Sequence, residues 1–392
     1  MSDYLFLMES RLSKDQLQLI VQVQHASAKA GIHLFLAGGA VRDLLAGKPI
    51  RDLDFSVEGP ALKLVRQLDN RLISTLSVDE LVQSAEVAFG TATAEIAMCR
   101  RETYGKTGAK PKISPATIQE DLRRRDFSVN AIALSLNKAS RGLLLDPTNG
   151  LSDLERKELR ALSTYSFYED PSRLLRLIRL RTRLGYTIDE RTRNHYNNAR
   201  ETRVEEQIPP DGRLRELEQL ANELDTVEAS RGLAAAGLLG VFEPHLGKKL
   251  DTASLARLDK ARRVVEPAGL RVDSFDPFLW ALTRKLSSSE RKNLNARLGI
   301  RAARAKAWME LEAGVKPLQK LLAGKPMAQG SRVQQVLTPH DPALALFLMA
   351  FSPLQSVRER IKNYFTQMHP PAPPPAPSPA PSPSLTPSFT SR

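Results

Sequence analysis

Residues 34–59 read LFLAGGAVRDLLAGKPIRDLDFSVEG, and this stretch decides the fold. The apolar run 32–37 ends in Gly38 and Gly39, the pattern of a buried strand and a tight turn. Residues 41–45 then carry helical spacing, which puts Arg42 in a first helical turn. A cation is poorly placed there on dipole grounds alone. An anion bound at the turn would account for it, because glycines let backbone N–H groups approach a phosphate closely. An ordinary strand, turn and helix with a surface arginine is the alternative. Residues 52–57 alternate, with Asp52, Asp54 and Ser56 on one face and Leu53, Phe55 and Val57 on the other. That is a half-buried strand. Strand residues i and i+2 point the same way, so the two carboxylates can converge on one hard, oxygen-loving cation such as Mg2+. An Asp-x-Asp pair alone is commonplace; its position after a glycine turn makes it informative.

Working outward, 13–30 reads as an amphipathic helix and 91–99 as a strand, with Glu95 facing away from Ala94 and Ile96. Beyond Leu151 the character changes. Leu, Arg, Glu and Ala recur at helical spacing in 171–184, 213–224, 254–264 and 287–298, and strand patterns are absent. The second half is therefore expected to be all helical. The end, 369–392, reads HPPAPPPAPSPAPSPSLTPSFTSR. Proline at that density builds no core, so a disordered tail is expected.

The chain has 392 residues, 57 Lys or Arg against 44 Asp or Glu, and a net charge of +13, which favours a polyanionic partner. A hydrophobic fraction of 42% is enough for a real core and excludes a wholly disordered chain. One cysteine, Cys99, excludes a disulfide scaffold and a cysteine-built zinc site. The N-terminal sequence lacks a signal-peptide pattern, and the most apolar stretch, near 342–351, is too short to span a bilayer. A soluble, cytoplasmic protein is expected.

Two further clusters carry chemistry. Residues 120–134, EDLRRRDFSVNAIAL, place Arg123, Arg124 and Arg125 before Asp126 and an apolar run. Three successive arginines cannot all face one way, so one or two at most touch a ligand. Residues 168–185, YEDPSRLLRLIRLRTRLG, open with acidic residues and a proline suited to a helix start. Arg173, Arg176, Arg179 and Arg183 then share about a third of the helix circumference, at roughly 100° per residue. That helix is either a basic surface helix or the wall of a basic cleft. Among the histidines only His340 precedes an aspartate, Asp341, so no HD-type phosphohydrolase signature is present.

Taken in order, GGAVRDLL, RDLDF, AEIAMCRRETY, EDLRRRDFSVNAIA, LLDPTNGLSDL and EDPSRLLRLIR resemble the class II tRNA nucleotidyltransferases, the CCA-adding enzymes, and the related bacterial poly(A) polymerases. The likeness is dense over 32–185 and fades beyond, where DGRLRELEQL at 211–220 fits the family's next motif poorly. The resemblance implies an α+β fold: a DNA polymerase beta-like head with a small mixed sheet at 1–150, then all-helical parts. These would be a neck at 151–205, a body and tail domain at 206–367, and the Pro-rich segment at 368–392. It implies Asp52 and Asp54 as the catalytic metal ligands for Mg2+, with Glu95 as a further acidic residue. It implies Gly38, Gly39, Arg42, Arg125, Asp170, Arg173, Arg176 and Arg179 as nucleotide-binding residues. The implied reaction is template-independent addition of CCA, or part of it, to the 3′ end of tRNA from CTP and ATP. Within 121–183, 13 Lys or Arg against 8 Asp or Glu fit a surface for the tRNA backbone. Poly(A) polymerase is the nearest rival, but SAEVAFGTATAEIA at 84–97 lacks that group's arginine-rich segment. A catalytically silent RNA-binding protein of the same fold is the rival from another class.

Overall fold

The computed structural model describes residues 2–265, 272–324 and 330–368; the expected tail at 369–392 lies outside them. The strands expected around the glycine turn form, with trimmed ends. They are β1 (His33–Ala37), β2 (Leu53–Glu58) and, after two strands that were not expected, β3 (Ser74–Asp79) and β4 (Ser84–Phe89), the third expected one, β5 (Ala92–Met98). A hairpin, β6 (Arg100–Thr103) with β7 (Lys112–Pro115), stands apart. The short strands β8 (Ala133–Ser135) and β9 (Leu144–Leu145) complete a seven-stranded sheet in the order β3-β4-β5-β2-β1-β8-β9. Only β2 and β5 run parallel; the other pairs are antiparallel, so the sheet is mixed.

Leu53, Phe55 and Val57 are buried in the main core of this half, with Leu36, Ile96 and the helix Lys14–Ala30 covering the same face. Ser13 caps that helix through a reciprocal capping box with Gln16, which satisfies two orphan backbone donors.

Three expectations change. The helix after the turn begins at Gly38 and ends at Leu45, so Arg42 lies in its last turn, where a cation is favoured. The helix dipole therefore favours Arg42 where it stands and calls for no anion beside it. The strand β2 begins at Leu53, which leaves Asp52 just ahead of it. Among the described residues beyond Leu151 the structure is helical apart from loops, one two-residue parallel pair, Glu158–Leu159 with Thr187–Ile188, and an isolated bridge from Ala161 to Phe127. The expected helices form as Ser172–Leu184, Pro210–Ala221, Thr252–Val265 and Ser288–Leu298. Asp341 caps the helix Pro342–Phe351 by accepting from the Ala343 N–H. No helix among the described residues is long and apolar enough to cross a membrane.

The helix Ser172–Leu184 joins two hydrophobic cores. Leu174, Leu177, Leu180 and Leu184 pack into the sheet-bearing half. Leu175 and Ile178 pack into a second core with Leu217, Leu220, Phe278 and Trp280 of the helical half. Each buried leucine contributes about 1.5–3 kcal/mol, so both halves hold this helix firmly against the site described next.

Candidate active site

The glycine turn and β2 build one wall. Gly38 has φ +66, and a Cβ there would sit 2.7 Å from Arg125 Nη1 and 3.0 Å from Asp54 Oδ2. Only glycine satisfies both the backbone conformation and this close approach. The Ala40 N–H donates to Asp54 Oδ2 at 3.3 Å, which seats the carboxylate at the start of the helix Gly38–Leu45.

Asp54 lies in register with Glu95 on β5, so the two carboxylates share a sheet face. Burial raises the Asp54 carboxyl to about 6, and the negative charges of Glu95 and Asp52 push the same way. Arg125 and the Ala40 N–H oppose that shift without cancelling it. Asp52 is exposed beside this pair and accepts a hydrogen bond from the Thr93 hydroxyl. A crowded set of carboxylate oxygens, one of them raised to about 6 by burial and by its acidic neighbours, suits a hard divalent cation. Asp52 and Asp54, with Glu95 beside them, would hold it.

Arg125 faces this group. Its guanidinium donates to Ser56 Oγ at 3.0 Å, to Asp121 Oδ2 at 3.0 Å and to the Asn130 carbonyl at 3.3 Å. Asp121 also takes Arg124 on its other oxygen, at 2.6 Å, and these two arginines hold its carboxyl below the usual range despite burial. Arg124 reaches Glu102 at 2.9 Å, and Glu102 accepts from the Tyr104 hydroxyl at 2.6 Å. Arg125 thus points into the site while Arg124 is turned into a structural network. Arg123 lies on neither path.

Arg42 is buried. It is held by its neighbour Asp43 at 2.9 and 3.0 Å and by Asn130 at 2.6 Å. On the opposite wall, Arg173 is buried and donates to Ser166 Oγ at 2.8 Å and to the Arg124 carbonyl at 3.1 Å. Asp170 precedes the helix and caps Ser172 through Oδ1, at 3.1 Å to N and 2.6 Å to Oγ. Its Oδ2 stays 3.8 Å from Arg173 Nε, so an acceptor and a donor stand side by side at the cleft wall.

The remaining arginines of that helix do not form an open basic stripe. Arg176 pairs with Asp126 at 3.1 Å and Glu216 at 2.7 Å. Arg179 pairs with Glu216 at 3.3 Å and Glu223 at 2.7 Å, and Arg183 reaches Asp43 and Glu223. Arg176 helps hold the Asp126 carboxyl down at about 2. Much of the local basic excess seen in the sequence is therefore matched by carboxylates from distant segments. Glu216, Glu223, Asp121 and Asn130 escaped the sequence reading. Asp121 was findable, since it lies three and four residues before Arg124 and Arg125, the spacing of helical ion pairs.

Two openings meet here. A cleft of about 500 Å3 is bordered by Gly38, Asp54, Glu95, Arg125, Asp170 and Arg173. A smaller cavity of about 180 Å3 is bordered by Asp52, Asp54, Arg51, Arg179 and Arg183. Away from both, Glu243, His245 and Glu290 gather their ligand atoms within 4.8 Å of one another. Lys249 Nζ, 2.7 Å from Glu290, already supplies a cation there.

Residues 34–160 match the family described as the Poly A polymerase head domain. The matched segment contains the glycine turn, Asp52, Asp54, Glu95 and Arg125. Part of the chain is similar to an A-adding tRNA nucleotidyltransferase of Halalkalibacterium halodurans, 36% identical over 257 residues, which cover 65% of this chain and 60% of that protein. A CC-adding tRNA nucleotidyltransferase of Deinococcus radiodurans is 41% identical over 169 residues, covering 40% of this chain and 43% of that protein. The chain spans 20–60% of the length of the first three curated relatives it matches, less than two thirds of each. Beyond the matched segment the likeness continues in structure. A solved CCA-adding enzyme in an apo form superposes with a TM-score of 0.58 at 25% identity, covering 93% of this chain and 86% of that one.

Proposed function

We propose that this chain adds nucleotides, without a template, to the 3′ end of tRNA from CTP and ATP, completing CCA or part of it. The observation that carries this reading is the carboxylate group at the glycine turn. Asp54, with Glu95 in register and Asp52 beside it, lies on the floor of a cleft whose walls carry Arg125 and Arg173. The names of the relatives, all nucleotide-adding enzymes acting on tRNA, support the same chemistry.

The acceptor 3′ oxygen bonds to the α-phosphorus of the nucleotide, and the bond from that phosphorus to the β-phosphate bridge breaks. Pyrophosphate leaves with the electron pair, and the hydroxyl proton passes to solvent. Bound at Asp52 and Asp54, Mg2+ would lower the pKa of the hydroxyl and screen the triphosphate. Arg125, fixed on three sides, offers charge to the phosphates with little reorganisation during the step. Arg173 works beside Asp170. Cytosine and adenine each present an amino donor next to a ring-nitrogen acceptor, whereas uracil and guanine present the reverse. The acceptor Asp170 Oδ2 beside a guanidinium complements the first pair and opposes the second. The protein then supplies the pairing edge that a template would otherwise give.

The test is a gel assay on tRNA lacking its 3′ end, with CTP, ATP or both. Extension by three, two or one nucleotides assigns CCA, CC or A addition. Long adenosine tracts on unrelated RNA would assign poly(A) polymerase, and binding without extension would refute the enzymatic reading. Asp52→Ala and Asp54→Ala should abolish extension at saturating Mg2+ while tRNA binding persists.

A further inference from the structure

The sheet ends at β3, which pairs only with β4 among the described residues, so its outer backbone N–H and C=O groups face no strand. The helices Lys14–Ala30 and Ala61–Val65 pack on β4 and β5, while every residue of β3 is exposed. Val78, opposite Ala85 in the core-facing row, is 53% exposed, and Leu72, Leu76 and Leu81 stand at 50%, 46% and 62%. Residues 72–78, LISTLSV, hold no charge and no proline, two common guards of a free edge. A bulge between Thr75 and Ser77 shortens the regular edge without covering it.

The charge beside this edge runs against that of the chain. In a protein of net charge +13, residues 69–86 carry Asp69, Asp79, Glu80 and Glu86 against one cation, Arg71. Arg71 is held by Asp69 at 2.8 Å, which leaves Asp79, Glu80 and Glu86 without an ion pair among the described residues. Glu86 stands opposite Ser77 on one side and Glu95 on the other, on the face away from the core. The neighbouring cations do not neutralise this group. Arg100 reaches the Val82 carbonyl but is paired with Glu102. Lys63 and Arg66 belong to the helix on the core-covering face, and Arg215 borders the larger cleft from the helix Pro210–Ala221.

We propose that β3 is a docking edge for an extended segment of another protein, one that alternates apolar and basic residues. Laid along β3, such a segment extends the sheet through backbone hydrogen bonds. Successive side chains of a strand point to opposite faces. Its apolar residues therefore meet Val78 on the core-facing side, and its Lys or Arg residues meet the row of Ser77 and Glu86 on the other. Other occupants fit less well. RNA would bring phosphates to unpaired carboxylates, and 69–86 offers no aromatic ring to a base. A second copy would set the same carboxylates against themselves. The chain's own end, 369–392, has a single Lys or Arg, Arg392, and prolines that cannot donate to an edge. Asp79, Leu81 and Val82 also border the larger cleft, so an occupant of the edge lies beside the candidate active site. The assignment does not depend on the reaction proposed above.

The probe is a labelled peptide of about eight residues alternating valine and lysine, a length within the range of natural strands. Its binding to the full chain is read by fluorescence anisotropy. It should bind about tenfold more tightly than the same peptide with glutamate in place of lysine, a gap of about 1.4 kcal/mol. Methylating every second backbone nitrogen keeps all side chains and removes donors to the edge. Of the two alternating sets, the one that faces β3 should cost about tenfold when methylated. Val78→Lys puts an inward-pointing charge on the edge and should weaken the valine–lysine peptide about tenfold, with the urea unfolding midpoint unchanged. Equal binding of the unmethylated peptide and both methylated forms would show that charge alone holds it, and would overturn the docking edge without any variant. A dimer in sedimentation that Val78→Lys dissolves would give the edge to a second copy. A tRNA affinity that falls in that variant would give it to RNA. Either result overturns the proposal.

Discussion

Asp54→Asn should make the protein more stable while removing its activity. Asp54 has its carboxyl raised from 3.8 to about 6 by burial and by Glu95, with Arg125 already counted against that shift. A shift of about 2 units corresponds to about 3 kcal/mol. Asp54 is only half-buried, so solvent screening lowers the expected figure to about 1–3 kcal/mol. The sign follows from proton binding. Between about pH 4 and 6 the native state holds a proton that the unfolded chain has released, so wild-type stability falls as pH rises through that window. Above pH 6 the full penalty is present; below about pH 4 it vanishes. Asparagine carries no charge and keeps an oxygen for the Ala40 N–H. Urea unfolding of both proteins in EDTA should therefore show the variant more stable at pH 8 and equal to wild type near pH 4. Excess Mg2+ at pH 8 should narrow or reverse the gap, since a cation that binds the native carboxylates stabilises only wild type. A variant no more stable than wild type at pH 8 in EDTA would refute the claim that these carboxylates are crowded.

Three further outcomes are expected. Gly38→Ala places a methyl group 2.7 Å from Arg125 Nη1 at φ +66, so nucleotide addition should fall at least tenfold, with tRNA affinity measured by filter binding nearly unchanged. Glu216→Gln strips charge from a buried bridge to Arg176 and Arg179, which keep Asp126 and Glu223; urea unfolding should show a loss of about 2–4 kcal/mol. Asp170→Ala should cut discrimination against UTP and GTP by about 1–3 kcal/mol in single-nucleotide incorporation. Equal loss of rate with all four nucleotides would reduce Asp170 to its capping of Ser172.

The sheet-bearing half was legible because its chemistry is local. Alternation over Leu53, Asp54, Phe55, Ser56 and Val57 gives strand and face together, and Gly38-Gly39 marks where the preceding strand ends. Arg42 misled because its helix was read three residues too short at the N-terminus. Gly38 and Gly39 look like a turn in sequence, yet they are the first residues of the helix. The arginine helix misled for a different reason. Its spacing correctly put Arg176, Arg179 and Arg183 together, but whether they meet solvent or carboxylates depends on Asp43, Glu216 and Glu223. Those partners lie 37–140 residues away in sequence, and no periodicity encodes such distances. The Asp170–Arg173 pair was legible as a spacing of three, although Asp170 lies ahead of the helix and not in its first turn.

The helix Ser172–Leu184 explains why those distant carboxylates are needed. At about 100° per residue, Leu174, Leu177, Leu180 and Leu184 take one arc, Leu175 and Ile178 the next, and Arg176, Arg179 and Arg183 what is left. A helix gripped on two apolar arcs has little freedom to turn, so its third arc must be satisfied where it stands. Left unpaired, three guanidinium groups between two cores would each carry a desolvation cost of several kcal/mol. Glu216 and Glu223, from the second half of the chain, and Asp43 and Asp126, from the sheet-bearing half, offset that cost from opposite sides. The same bridges fix the distance between Asp54 on the sheet and Arg173 at the start of the helix. Precision at the cleft is therefore set by ion pairs one and two turns along that helix, and a substitution at Glu216 should disturb the site without touching substrate.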